Sequence, residues 1–137
     1  MSLFAHTSVD LLTQAMDASQ LRQQVINHNI ANVDTPYYRT SRVSFEHILQ
    51  QAMTNDRAFR GRKTDPRHAT IGLPDVKDIQ PELHTTSGTV MNNNGNNVDI
   101  DAEMALMAKN GLWYQGLTHA LNHELRQLRH VITEGRG

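Results

Sequence analysis

The sequence of 137 residues contains no cysteine and few aromatic residues. Without cysteine it forms neither disulfides nor thiolate metal sites. Cysteine usage therefore does not indicate whether the protein works in an oxidising or a reducing compartment. Aromatic residues make up 5% of the chain and apolar residues 38%. Because ordinary globular domains are roughly 45–50% apolar, we expect no large globular core.

Long apolar runs and an excess of one charge are also missing. No stretch reaches the roughly 20 apolar residues that span a membrane. Asp10, Gln14 and Asp17 interrupt the first residues, which therefore do not read as a cleavable secretory signal. Thirteen basic and fourteen acidic residues give a formal net charge of -1, so overall charge directs the chain to neither nucleic acid nor anionic lipid.

A first amphipathic helix is predicted for residues 8–33. Its apolar residues recur at spacings of three and four, the period of one helix face. This face comprises Leu11, Ala15, Ala18, Leu21 and Val25. Pro36 ends the helix, because the residue before a proline is pushed out of the helical region. A short amphipathic helix is predicted next, over residues 44–53.

A second long helix is predicted from Asp99 to Glu134, roughly 54 Å long at about 1.5 Å per residue. Its apolar positions alternate steps of four and three, the pattern of a helix that packs along another helix. They are Ile100, Met104, Met107, Gly111, Tyr114, Thr118, Leu121, Leu125, Leu128 and Ile132. We call these positions and the five of the first helix the seam. The seam predicts that the two long helices lie side by side, antiparallel within one chain or packed between chains.

The middle of the chain shows no helical or strand period. Proline and glycine recur over residues 54–97, so we expect a flexible or extended loop with at most a brief strand near residues 76–79 or 89–91. The predicted fold is therefore all-α, with two long terminal helices pairing as a coiled coil and a short third helix. We therefore predict that the chain is divided into three segments: a helical part with a turn motif over 1–53, the loop over 54–97, and the long C-terminal helix over 98–137.

Two short stretches carry a resemblance to a known family. Residues 29–39, Asn-Ile-Ala-Asn-Val-Asp-Thr-Pro-Tyr-Tyr-Arg, resemble the A-N-x-x-T-P-G-Y motif of flagellar rod and hook proteins. Residues 95–104, Gly-Asn-Asn-Val-Asp-Ile-Asp-Ala-Glu-Met, precede the long helix and are similar to the C-terminal pattern of proximal rod subunits of the FlgB type. Tyr37 stands where the motif usually has glycine. Either Pro36 starts a type I turn there, or the tyrosine accepts a strained conformation.

The turn motif comprises Asn29, Ala31, Asn32, Asp34, Thr35, Pro36 and Tyr38. Asn29 and Asn32 lie one helical turn apart, so their amides can bond the unpaired carbonyls of the helix end or the backbone of a neighbouring subunit. Asp34 and Thr35 can hold the turn through side-chain bonds to backbone amides. A local helix cap without any partner is the alternative interpretation, and ordinary core packing is the alternative for each seam residue.

The resemblance implies a structural function without a cofactor and without catalysis. A subunit of the proximal rod of the flagellar basal body would polymerise through its terminal helices and transmit torque. Its implied partners are other rod subunits, the adaptor protein at the rod base, the membrane ring and the flagellar type III export apparatus. The implied location is the rod that spans the periplasm, reached without a cleavable signal peptide. Terminal regions of the free subunit are expected to be disordered until neighbours bury the seam.

Two other function classes compete with this interpretation. His119 and His123 stand at i and i+4, a spacing that suits a metal-dependent helical enzyme, but the glutamate of an H-E-x-x-H motif is absent. A nucleic-acid-binding module would use the basic stretch over 57–67. Acidic residues interrupt that stretch, and Phe59 is its only aromatic residue for stacking on bases. Both classes rank far below the rod subunit.

Overall fold

The structure is a computed structural model that describes residues 8–54, 79–87, 90 and 93–134. Three helices and two strands follow in the order α1 (Ser8–Ala31), β1 (Ser41–Ser44), α2 (Glu46–Thr54), β2 (Glu82–Thr85) and α3 (Ile100–Glu134). The prediction of a mainly helical fold with two long helices and a short third one is confirmed. The expectations for residues 55–78, including the basic stretch, concern a part of the chain outside the described residues.

Side chains and turn residues set the ends of the two long helices. Asp99 begins α3 as its N-cap, because its Oδ1 accepts the backbone N–H groups of Asp101 and Ala102 at 3.0 and 3.2 Å. At the end of α1, the Asn32 amide donates to the His28 carbonyl at 2.8 Å. Asn32 therefore has the predicted capping role, four residues before Pro36.

A small antiparallel sheet joins the segment after α1 to the end of the central region. β1 pairs with β2 so that Ser41 lies opposite Thr85 and Ser44 opposite Glu82. The sequence indicated neither strand, because four-residue strands are too short to show the alternation of a half-buried strand. Ile79 is buried outside any strand, whereas residues 76–78 of the same expected brief strand lie outside the described residues.

The apolar core is small and lies beside α1. Ala18, Phe45 and Ile79 form it, and partly buried apolar residues pack around them: Ala15, Ile48 and Leu49. Two of the predicted seam positions of α1 therefore belong to a core shared with α2. The size of this core agrees with the low apolar and aromatic content of the chain.

The two long helices pack antiparallel. Asn29 near the end of α1 bonds Glu103 near the start of α3, while Ser19 bonds Asn110 further along. At equal rise per residue, the first residue of α1, Ser8, lies opposite about residue 124 of α3. The last turns of α3 therefore run past the described start of α1. No helix among the described residues is long and apolar enough to cross a membrane.

Candidate assembly site

The turn motif is organised around the buried side chain of Asn29. Its Nδ2 donates to the Ser41 carbonyl at 2.9 Å and to Glu103 at 3.3 Å. Its Oδ1 accepts the Ser41 N–H at 3.1 Å and the Tyr38 hydroxyl at 3.0 Å. All four hydrogen-bonding positions of the amide are used. Asn29 thus fixes β1 and α3 to the end of α1, whereas its predicted role was restricted to helix carbonyls or a neighbour.

Tyr38 and Glu103 extend this polar centre. Partial burial, and then the negative charge of Glu103, raise the pKa of the Tyr38 hydroxyl, which therefore keeps the proton that it donates to Asn29. Glu103 is fully buried, and its Oε1 lies 2.6 Å from Nη1 of Arg42. The angles of this contact fall outside those of a hydrogen bond, so it acts as an ion pair. Because the Arg42 side chain is partly exposed and Glu103 is not, removing the arginine would leave the Glu103 carboxylate buried without its counter-charge.

Asn96 and Asn97, which we call the asparagine clip, tie the segment before α3 to the turn after α1. The Asn96 amide lies 2.9–3.0 Å from the carbonyls of Asn32, Val33 and Thr35. Asn97 accepts the Thr40 N–H at 2.8 Å. The three carbonyls lie in the turn after α1 and Thr40 lies just before β1, so the clip pairs backbone groups outside the helices and strands. The two sequence stretches that carry the family resemblance are therefore in direct contact.

The remaining members of the turn motif lie at the surface. Ala31, Asp34, Thr35 and Pro36 are exposed, and Asn32 is half-buried. The Thr35 hydroxyl donates to the Asn32 side chain at 3.2 Å. Thr35 thus holds the turn through a neighbouring side chain, where the sequence predicted a bond to a backbone amide.

Tyr37 adopts the strained alternative of the two that the sequence left open. Its φ is 60°, and its N–H donates to the Asn94 carbonyl at 3.2 Å. The tyrosine ring lies over Gly95, where an added Cβ would come within 2.7 Å of the ring. Gly95 itself has a φ of 77°. A side chain at Gly95 would therefore be strained and would displace the ring.

The contact between α1 and α3 is polar at its centre. Asn110 donates to the Ser19 carbonyl and to the Gln23 side chain, both at 3.0 Å, and it accepts the Ser19 hydroxyl at 3.0 Å. Glu103, Asn110 and Leu117 are the buried residues of α3, at intervals of seven. This buried row was missed because a search for apolar residues passes over Glu103 and Asn110.

The predicted seam of α3 lies beside this buried row. Half-buried seam positions border the contact with α1: Met107, Gly111, Thr118, Leu121 and Leu128. The others are 41–65% exposed: Ile100, Met104, Tyr114, Leu125 and Ile132. We call these five residues the apolar strip. In α1, Ala18 is buried, and the other four seam positions, Leu11, Ala15, Leu21 and Val25, are half-buried. The seam of α3 is therefore not the centre of the pairing within one chain.

A groove lies between α2 and α3 on the other side of the helix pair. Its volume is about 590 Å³, and its walls include Leu106, Trp113 and the ion pair of Arg22 with Glu46. That ion pair has an N–O distance of 2.6 Å. Partial burial alone would raise the pKa of Glu46, but bonds from Arg22 and a backbone amide, with the charge of Lys109, hold it below its usual range.

The histidine pair of the metal-dependent alternative lies at the surface of α3, whereas the basic stretch of the nucleic-acid alternative lies outside the described residues. His119 and His123 are exposed, and His123 contacts the Gln127 side chain at 2.9 Å. Within the described residues, no group of three or more histidine, aspartate or glutamate side chains is placed to hold a metal ion.

Comparison with known proteins identifies relatives along the whole chain, although no family model matches it. The chain is 38% identical over 136 residues to the flagellar basal body rod protein FlgB of Bacillus subtilis, covering 99% of this chain and 100% of that relative. The FlgB protein of Borreliella burgdorferi is 36% identical over 91% of this chain and 95% of its own length. For Escherichia coli FlgB the identity is 29%, over 89% of this chain and 90% of the relative.

The fold and these matches define a structural subunit of the flagellar basal body. The chain belongs to the FlgB family of flagellar basal body rod proteins. It is a structural rod protein and not an enzyme, and it assembles with other rod components of the basal body. The resemblance seen in the turn motif and in the start of α3 is confirmed.

Proposed function

We propose that this chain is built into the proximal rod by burying its apolar strip against helices of neighbouring rod subunits. The strip supports this proposal because five large side chains on one side of α3 are 41–65% exposed in the single chain. A row of apolar side chains at this spacing is typical of a helix that packs along another helix. The side of α3 that is buried against α1 is the row of Glu103, Asn110 and Leu117, so the apolar strip stays exposed for neighbours.

The energy of the strip suits cooperative assembly. Full burial of one large apolar side chain contributes about 1.5–3 kcal/mol. Since the strip residues are roughly half-buried already, five of them would add on the order of 5 kcal/mol. Association itself costs about 4–15 kcal/mol. One neighbour would therefore hold the subunit weakly, and several neighbours together would hold it firmly.

The polar contacts suit the transmission of torque from the membrane ring toward the distal rod. Asn29, Asn96 and Asn110 join α1 to α3 through directional hydrogen bonds at both the turn and the middle of the pair. Directional bonds fix the register of two helices more strictly than apolar packing does. A twisting load on one helix would thus reach the other without sliding.

The finer location and partners follow from the same proposal. The subunit would lie in the part of the rod that spans the periplasm, near the adaptor at the rod base and the membrane ring. It would leave the cytoplasm through the flagellar type III apparatus. A core as small as that around Phe45 favours a chain that orders fully only beside its neighbours.

Two adjacent residues give a matched test. Ile132 belongs to the strip and is 65% exposed, whereas Val131 is 71% exposed on another side of α3. Ile132→Asp should block incorporation into basal bodies and stop swarming, because a neighbour would have to bury an unpaired carboxylate. Secretion of the variant should continue. Val131→Asp, with the same charge and a similar loss of apolar surface, should assemble. Equal assembly of both variants would show that the apolar strip is not an assembly surface.

A further inference from the structure

The last turns of α3 form an exposed surface that is distinct from the rest of the strip. Residues 125–134, which we call the overhang, run past the described start of α1 by about 15 Å at 1.5 Å per residue. Leu125 is 49% exposed and Ile132 65%. A hollow of about 380 Å³ lies among Asn122, Leu125, Arg126 and Arg129. The hollow thus combines an apolar side chain with two guanidinium groups.

The arginines of the overhang are available for a partner. Arg126 and Arg129 are exposed, and neither forms an ion pair with another described residue. On another side of the overhang, the His130 ring lies 3.1 Å from the Glu134 carboxylate. Positions 126 and 129 lie three residues apart on one side of the helix, next to Leu125. The surface beside the hollow is therefore basic and apolar.

The opposite end of α3 has the complementary chemistry. Asp99 and Asp101 stand in and before its first turn, beside Ile100 and Met104, which are 43% and 51% exposed. Carboxylates at a helix start are favoured by the helix dipole. Helix α3 thus presents acidic and apolar side chains near its start and basic and apolar side chains near its end.

From this complementarity we infer that the overhang binds the first turns of an α3-type helix in the adjoining rod subunit. The arginines pair with its carboxylates, and Leu125 and Ile132 cover its apolar side chains. This inference rests on the proposed function and adds a partner surface to it. Successive subunits along the rod would join end to end, with the direction set by charge. Such a contact is heterologous, so it extends a filament and does not close into a dimer.

A charge reversal with a matched control tests the inference in cells. The variant Arg126→Glu with Arg129→Glu should lower recovery of the chain in purified basal bodies by about tenfold or more, because like charges would then face each other. Gln127→Glu with His130→Glu introduces the same two carboxylates on another side of the overhang. This control should assemble within about twofold of the unchanged chain. Secretion of all variants is measured alongside, and circular dichroism of the purified chains checks that α3 still forms.

Restoration by an opposite charge then identifies the partner surface. Adding Asp101→Lys to the reversed chain should restore assembly if the adjoining subunit is another copy. If it is a different rod subunit, motile revertants should replace a carboxylate at the start of its corresponding helix. Assembly of the reversed chain at the normal level would overturn the inference, as would revertants confined to α1 of this chain. In either case Tyr114→Asp, at a strip position outside the overhang, would still block assembly, and the proposed function would stand.

Discussion

Buried asparagine side chains hold distant segments of this structure together through hydrogen bonds. Asn29 and Asn96 are fully buried, and each joins segments that lie more than 60 positions apart in the sequence. An amide can donate and accept at once, so one side chain satisfies several backbone groups of the turn after α1 or of β1. The sequence predicted a role for Asn29 because it falls in the turn motif. It predicted none for Asn96, since asparagine is common in turns and loops and gives no period.

Replacement of Asn96 by aspartate should weaken the contact that the asparagine clip makes with the turn after α1. The change is nearly isosteric, but it puts a carboxylate where the amide faces the carbonyls of Asn32, Val33 and Thr35. We expect a loss of about 2–4 kcal/mol in the free energy of unfolding, from lost bonds and from repulsion in a buried site. Urea unfolding of the purified chain, followed by helical circular dichroism, measures it. Asn93→Asp is the control, because Asn93 is exposed in the same stretch. Equal stability of the two variants would contradict the role of the clip.

Periodicity predicted the elements well where they are long. α1 and α3 begin and end close to the predicted residues, because the apolar spacing is regular and Pro36 and Asp99 mark the ends. The orientation of α3 was less predictable. Its seam and its buried row run in parallel along one helix, and only the row that contains Glu103 and Asn110 faces α1. The spacing of seven between these two polar residues is the one signal that could have indicated the second row.

The attachment of α2 to α1 should depend on pH. The ion pair with Arg22 contributes to holding the pKa of Glu46 below its usual range, so the folded state stabilises the charged carboxyl. That stabilisation is fully present above the pKa of the unfolded chain and is lost as pH falls through the lower folded pKa. Glu46→Gln should therefore flatten the acid side of the stability curve between about pH 5 and 3. Urea unfolding across this range measures the effect. An unchanged slope in the variant would show that the ion pair contributes nothing.

At the scale of the whole molecule, we propose that polar contacts join the long helices while the exposed apolar strip packs against neighbouring subunits. The low apolar content of the sequence predicted a small core, and the structure has one around Phe45. Composition cannot tell which apolar residues remain exposed, because this depends on the rotation of α3 against α1. The rotation is set by individual bonds such as those of Asn110. The exposed strip and the overhang were therefore visible only in the structure.

Cysteine labelling in intact basal bodies tests the central claim most directly, since the chain has no cysteine of its own. Single cysteines at Met104, Leu125 and Ile132 would be reacted with a maleimide in the free subunit and in purified basal bodies. Leu117→Cys, which is buried within one chain, gives the slow reference. We expect the three strip positions to react rapidly in the free subunit and at least about tenfold more slowly in the assembled rod. Equal rates in both states would contradict the account.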